Sequence, residues 1–323
     1  MNGRSGCWKW AVSVPVGLVV ILAGIYFLLD SEDLDLESSV EDAAPGAVIE
    51  LSGGVVHYQL VGDENAPLVV LVHGFSVPLY VWEPTALALE EAGYRVLSYD
   101  LYGRGYSARP PTEYNLDLFV SQLDELTSEL DLQGPMVIAG LSMGGPIAAS
   151  YASQHADQIA GVILIAPEVS QTSPQDVFPL NLPWVGDYLM RAVMEPLVLP
   201  KLQASDFVHP ENYPDWESRY RVQLHYRGTG RALLSTIRNL ISLNPAAEYR
   251  RLGELDLPVL LVWGKEDATI GADQISYLQE MLPNIQTFVV DDAGHLPQYE
   301  GADQVNPRLI QFLEEVFPGS RGR

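Results

Sequence analysis

Short apolar runs alternate with stretches of helical length over most of this chain. The runs are Leu68–Val72, Arg95–Tyr99, Met136–Ala139, Gly161–Ile165, Val259–Trp263 and Thr287–Val290. Continuous apolar runs of this length suit strands buried on both faces of a sheet. Between them, Glu83–Ala92, Leu116–Leu130, Pro146–Ala156, Gln274–Met281 and Asn306–Val316 read as helices. Val48–Val61 alternates as a hairpin around Ser52-Gly53-Gly54. Strand alternating with helix predicts an α/β fold, a mostly parallel central sheet with helices on both faces. The alternation stops between Glu168 and Asn244, where prolines, aromatics and helical patches show no clear strand. That stretch reads as a helical cap inserted after the sixth strand, because insertions at C-terminal strand ends cover the site in such sheets.

The pattern at the N-terminus is different. Ala11–Leu29 is nineteen residues without a charge, just long enough to cross a bilayer core as a helix. Arg4 and Lys9 precede it and carboxylates follow it. The positive-inside rule then places residues 1–10 in the cytosol and the rest of the chain outside, as a single-pass membrane protein. The alternative is a cleaved signal peptide and secretion, although the run is long for one and Leu28-Leu29-Asp30 is a poor cleavage site. Asp30–Asp42 carries seven carboxylates and no basic residue, so 30–45 reads as an extended acidic linker. The core then comprises 46–167 and 245–318, the cap 168–244, and the tail 319–323.

Composition narrows the partners. Net charge is −24, with 42 acidic against 18 basic residues; such a chain is repelled by nucleic acid. The single cysteine, Cys7, excludes an internal disulfide framework and a cysteine-rich metal site.

Candidate chemistry sits after the run that ends at Ala139. Gly140-Leu141-Ser142-Met143-Gly144-Gly145 places a serine between small residues, after a strand and before a helix. A serine on so sharp a turn is held in a strained backbone, and neighbouring chain passes close on both sides. The following helix N-terminus favours developing negative charge. Serine needs a base, and the base an orienting acid. Of six histidines, only His295 lies in a loop directly after the last strand. The acid belongs after the preceding strand, where Glu266 and Asp267 are adjacent. Oxyanion donors would be the backbone N–H of Met143 and that of Phe75, in the loop His73-Gly74-Phe75-Ser76. His73 reads as packing that loop.

Together, His73-Gly74-Phe75, Asp100–Ser107, Gly140–Gly145, Gly264–Asp267 and Gly294-His295 resemble the α/β-hydrolase superfamily over about Gly46 to Pro318. Within it the chain is similar to carboxylesterases and monoacylglycerol lipases. The resemblance implies a Ser142–Asp267–His295 triad, with Asp267 rather than Glu266 as the acid, and ester cleavage through an acyl-enzyme that needs neither metal nor organic cofactor. Relatives that open epoxides or haloalkanes use an aspartate nucleophile, which Ser142 argues against. Carbon–carbon, thioester or amide cleavage on the same triad is the alternative reaction, and a binding protein that kept the fold is the alternative class.

The cap's first half is apolar, from Phe178 to Leu199. It reads either as the cap's own packing or as an acyl pocket and lipid-facing surface, with Trp184, Tyr188 and Met194 as candidate substrate contacts. The anchor favours a small, lipid-derived ester as substrate. The second half holds Arg219, Arg221, Arg227 and Arg231, a solvated face or a site for an anionic substrate group.

Overall fold

The computed structural model describes residues 17, 20–36, 44–170, 172–173, 175–271 and 273–319. Eight strands form one sheet: β1 (Ala47–Leu51), β2 (Gly54–Val61), β3 (Leu68–Val72), β4 (Arg95–Tyr99), β5 (Met136–Leu141), β6 (Ile159–Ile165), β7 (Val259–Gly264) and β8 (Gln286–Val290), in spatial order β1-β2-β4-β3-β5-β6-β7-β8. The first two strands pair antiparallel with their neighbours, and β4 through β8 run parallel. The predicted hairpin and all six apolar runs are therefore strands of one α/β sheet.

Alternate residues of the central strands feed two cores. Val70, Val72 and Ile138 face helices α2 (Leu116–Glu129) and α3 (Gly144–Gln154), on the side that also packs Tyr249 and Leu252. Val69, Leu71, Val137 and Ala139 face the other side, with Leu89 of α1 (Glu83–Glu91) and Leu309, Phe312 and Leu313 of the C-terminal helix Ala302–Val316. Period-two burial on both faces is why the runs are continuously apolar. The first turn of α2 is capped by the Asn115 side chain, which accepts the Leu118 N–H at 3.0 Å.

The insertion between β6 and β7 is helical. It includes α4 (Val185–Leu189), a π-helical stretch Met190–Val198 containing Pro196, α5 (Trp216–Leu224) and α6 (Thr229–Thr236). The π register lets the chain absorb a proline whose missing N–H would break an α-helical ladder.

Two expectations need adjustment at the N-terminus. Only residues 17 and 20–29 of the uncharged run are described, and 20–29 is helical. Among the described residues no helix is long and apolar enough to cross a membrane; the remainder of the expected span, and residues 1–10, lie outside them. The acidic linker is not a free tether over 30–36. Leu34 pairs with the cap, donating its N–H to His225 O at 2.9 Å and accepting the Arg227 N–H at 3.0 Å. Glu32 is buried and accepts the Gly228 and Gly230 N–H groups at 2.7 and 2.9 Å. Arg191 bridges Asp30 at 2.7 Å and also meets Glu32. Residues 37–43 of the linker lie outside the described residues.

Candidate active site

The site forms where β3, β5, β7 and β8 end. After β5 the chain turns through Ser142 at φ +52° before α3 begins. That conformation costs a non-glycine residue about 1–3 kcal/mol, so its surroundings must hold it. The Ser142 N–H donates to Ile165 O at 2.9 Å, and its carbonyl accepts from Gly145 and Glu168 at 2.8 and 3.0 Å. Space dictates the flanking glycines. A Cβ on Gly140 would stand 2.2 Å from Gly144 O, and one on Gly144 would stand 2.4 Å from Val72 O. The β3 loop also touches the serine, since a Cβ on Gly74 would be 3.2 Å from Ser142 Cβ.

His295 follows β8 and is buried. Its Nδ1 lies 2.9 Å from Asp267 Oδ2. The other oxygen of Asp267 accepts the Thr269 and Ile270 N–H groups at 2.8 and 2.9 Å, which fixes the carboxylate. Glu266 has a separate partner, accepting the Ala293 N–H at 3.2 Å. The histidine loop passes tightly under the cap: His295 N–H donates to Asp206 O at 2.8 Å, and a Cβ on Gly294 would stand 2.6 Å from that same oxygen. Burial disfavours the imidazolium, but the hydrogen bond and charge of Asp267, with the charge of Asp206, outweigh it and raise the His295 pKa above its ordinary value. Asp206 is itself raised by burial, and its Oδ1 accepts from Thr269 Oγ1 at 3.2 Å.

Ser142 and His295 line one cavity of about 330 Å³, together with Gly74, Phe75 and Leu141 from the core and Leu199, Leu202, Gln203 and Asp206 from the cap. Phe75 thus reaches the site, while Met143 follows Ser142 at the N-cap of α3 with its side chain buried. Trp184, Tyr188 and Met194, singled out from sequence as substrate contacts, do not line this cavity. Trp184 is exposed, Tyr188 donates its hydroxyl to Leu22 O at 3.1 Å, and Met194 packs against the second core. The cap arginines are engaged: Arg219 with Glu83 and Arg221 with Glu217, each at 2.6 Å, Arg227 with Asp35 at 3.3 Å, and Arg231 with Arg109 O at 2.7 Å.

Several positioning residues were not assigned from sequence. Arg104 is fully buried and donates to Phe75 O at 2.7 Å, Tyr102 O at 3.1 Å and Thr236 Oγ1 at 2.8 Å. Its guanidinium lies over the Phe75 and Phe119 rings, 5.6 and 5.3 Å from their centroids. Burial without a carboxylate partner pushes its pKa down to about 9. Glu300 joins the histidine loop to the cap, accepting from Gly294 at 2.9 Å and from His209 at 2.7 Å. His73 takes its expected packing role. Its Nε2 accepts the Leu101 N–H at 2.9 Å, and burial lowers its pKa to about 4, so the ring is neutral.

A second buried pair, His57 and Asp100, has Nδ1 and Oδ2 2.7 Å apart, with Ser107 beside it. It is not another triad. The far nitrogen of His57 is bound to Pro45 O at 2.8 Å, and the Ser107 hydroxyl donates to Asp100 O at 2.6 Å. Among the described residues no three His, Cys, Asp or Glu side chains converge as a metal site.

Residues 67–302 match the family model described as the alpha/beta hydrolase fold. The chain is 27% identical to a putative non-heme chloroperoxidase of Synechocystis, over 80% of this chain and 99% of that protein. It is 26% identical to epoxide hydrolase 3 of Xenopus tropicalis, over 82% of this chain and 76% of that one. Lipases of Moraxella and Psychrobacter are also among its relatives. A thermophilic esterase from Thermogutta terrifontis shares the fold, with a TM-score of 0.69 at 23% identity, over 84% of this chain and 99% of the esterase. With its mostly parallel sheet, its cap after the sixth strand and its serine on the strand-to-helix turn, this chain belongs to the alpha/beta hydrolase fold family.

Proposed function

We propose that this protein is a serine hydrolase of carboxylic esters. The observation that carries the reading is the strained Ser142 turn opening into the same cavity as His295, whose ring Asp267 holds at 2.9 Å. In this mechanism His295 takes the Ser142 proton as the hydroxyl attacks the ester carbonyl. Asp267 fixes the ring's tautomer and stabilises its cation. The N–H groups of Phe75 and Met143 bind the oxyanion, with Arg104 holding the Phe75 carbonyl. The alcohol leaves with a proton from His295, and water activated by the same ring releases the acid. No step requires a metal or organic cofactor.

A cavity of about 330 Å³ is at the small end for ligand sites, which favours short and medium acyl groups with the cap in this position. We assign the uncharged N-terminal run to a membrane anchor with the catalytic domain outside the cytosol. Arg4 and Lys9, which precede the run, support that orientation, because the positive-inside rule counts Lys and Arg. An anchored enzyme has lipid-derived esters within reach. A cleaved leader and secretion would leave the chemistry unchanged.

The test is hydrolysis of p-nitrophenyl esters from acetyl to palmitoyl by wild type and Ser142→Ala. Loss of the serine should reduce kcat by a factor on the order of 10⁶, as for a triad serine elsewhere. Equal rates for the two proteins on every ester would overturn the assignment.

A further inference from the structure

The cap carries an apolar patch that none of the described residues cover. Phe178, Leu182, Trp184 and Val185 are all exposed, Phe178 by 63% and Trp184 by 87%. Single exposed apolar side chains are ordinary, but four within eight positions form a surface. Trp184 also sits at φ +61°, a region that residues with a side chain avoid. The turn is buttressed. Asp187 accepts the Trp184 N–H at 3.1 Å, and Arg238 holds Asp187 at 3.2 Å and the carbonyls of Leu180 and Leu182 at 2.9 and 3.0 Å. An indole is thus held out into solvent by a strained residue and a half-buried arginine.

The patch continues into a second apolar surface. Tyr188, one turn beyond Trp184 on α4, stacks on Tyr26 at 6.0 Å and donates its hydroxyl to Leu22 O at 3.1 Å. Leu22 and Tyr26 belong to the 20–29 helix, whose Val20, Ile21, Phe27 and Leu28 are exposed. In the sequence the uncharged run continues from there back to Ala11.

The geometry points to a lipid bilayer surface as the occupant of this patch: Trp184 and its neighbours rest in the interfacial layer beside the 20–29 helix and fix the cap against the membrane. Tryptophan suits that layer, where one side of the ring is apolar and its N–H stays wet. A second copy would have to be covered against a net charge of −24 on each chain, whereas an uncharged lipid surface carries no such repulsion. The same cap walls the catalytic cavity through Leu199 and Leu202. This inference rests on the anchor assignment and adds to it a second contact and an orientation.

The test uses the full chain with Cys7→Ser, an environment-sensitive fluorophore on Trp184→Cys or on Val185→Cys, and a control on Ser128→Cys, an exposed position of α2. The proteins are reconstituted in phosphatidylcholine vesicles and checked for turnover of a soluble ester. The expected result is blue-shifted emission at 184 and 185, quenched by nitroxide-labelled lipid, with water-like emission at 128. Water-like emission at 184 and 185 in protein that floats with the vesicles would overturn the patch contact while leaving the anchor intact. A blue shift that grows with protein concentration and resists the lipid quencher would assign the patch to a second copy instead. Failure of the protein to float with vesicles would overturn the anchor and the inference together.

Discussion

Glu266 and Asp267 are neighbours with separate tasks, one holding the Ala293 backbone and the other the His295 ring. That division decides how His295 titrates. Burial pushes its pKa down, and the Asp267 carboxylate, helped by the charge of Asp206, pushes it up further than burial lowers it. In the proposed mechanism the neutral ring is the base, so activity should rise as pH climbs through the pKa of His295. In Asp267→Asn the carboxylate's charge and its charge-assisted hydrogen bond are lost, while burial and the smaller effect of Asp206 remain. The acid limb of the pH profile of kcat/KM should therefore move to lower pH. The plateau should fall by a factor on the order of 10⁴, the cost of a misoriented ring in a comparable triad. An acid limb that stays in place or moves to higher pH would remove Asp267 from this role. At this scale the site was legible where spacing is local. Gly140, Ser142 and Gly144 announce the turn because their spacing is itself local, even though the contacts that require the turn include Val72 O and Ile165 O on neighbouring strands. Arg104 was not, because its partners Phe75, Tyr102 and Thr236 come together only in the folded molecule.

At the scale of elements, strands were easier to read than connections. A strand buried on both faces needs apolar residues throughout, so its signal lies within five or six positions. The cap offered no single period, since it mixes short α, 3₁₀ and π turns around prolines. The linker misled for a related reason. Seven carboxylates read as a solvated spacer, but Arg191, Arg227 and the Gly228 and Gly230 N–H groups, some 160 to 200 residues away in sequence, bind its first part. One consequence is titratable. Glu195, from the π-helical stretch, is fully buried beside Glu32, with Arg191 and Asp30 facing the same cluster. Burial and then the Glu32 charge push its pKa up to about 9. Between the ordinary carboxylate range and that value the folded chain holds a proton that the unfolded chain has released, so stability falls as pH rises through this window. Below the window both states are protonated and the effect vanishes. Glu195→Gln keeps a donor and removes the titration. Its Tm relative to wild type should therefore increase steadily from pH 5 to pH 9 in thermal melts. Parallel Tm profiles would show that Glu195 does not hold this proton.

For the whole molecule, charge is the dominant long-range property. The 42 acidic and 18 basic residues leave −24, and the cap arginines Arg219, Arg221, Arg227 and Arg231 are engaged by carboxylates or carbonyls. Exposed ion pairs of this kind contribute about 0–1 kcal/mol each and do little to the far field. Asp206 adds a carboxyl group to the wall of the cavity that Ser142 and His295 share. An anionic ester therefore approaches against a repulsive potential, which acts on encounter before any contact with Ser142. Salt shortens the reach of that potential, from about 30 Å at 0.01 M to about 3 Å at 1 M. A neutral ester and a matched ester bearing a remote carboxylate should then respond differently. At low salt the anionic ester should have a kcat/KM about tenfold lower or less. Adding sodium chloride should raise it toward the neutral ester's value, with the change mainly in KM, while the neutral ester stays nearly flat. Stopped assays of the two esters across that salt range would decide the matter. If the anionic ester is the better substrate at low salt, and loses its advantage as salt is added, then a cationic surface governs access and the cap arginines are freer than their partners indicate.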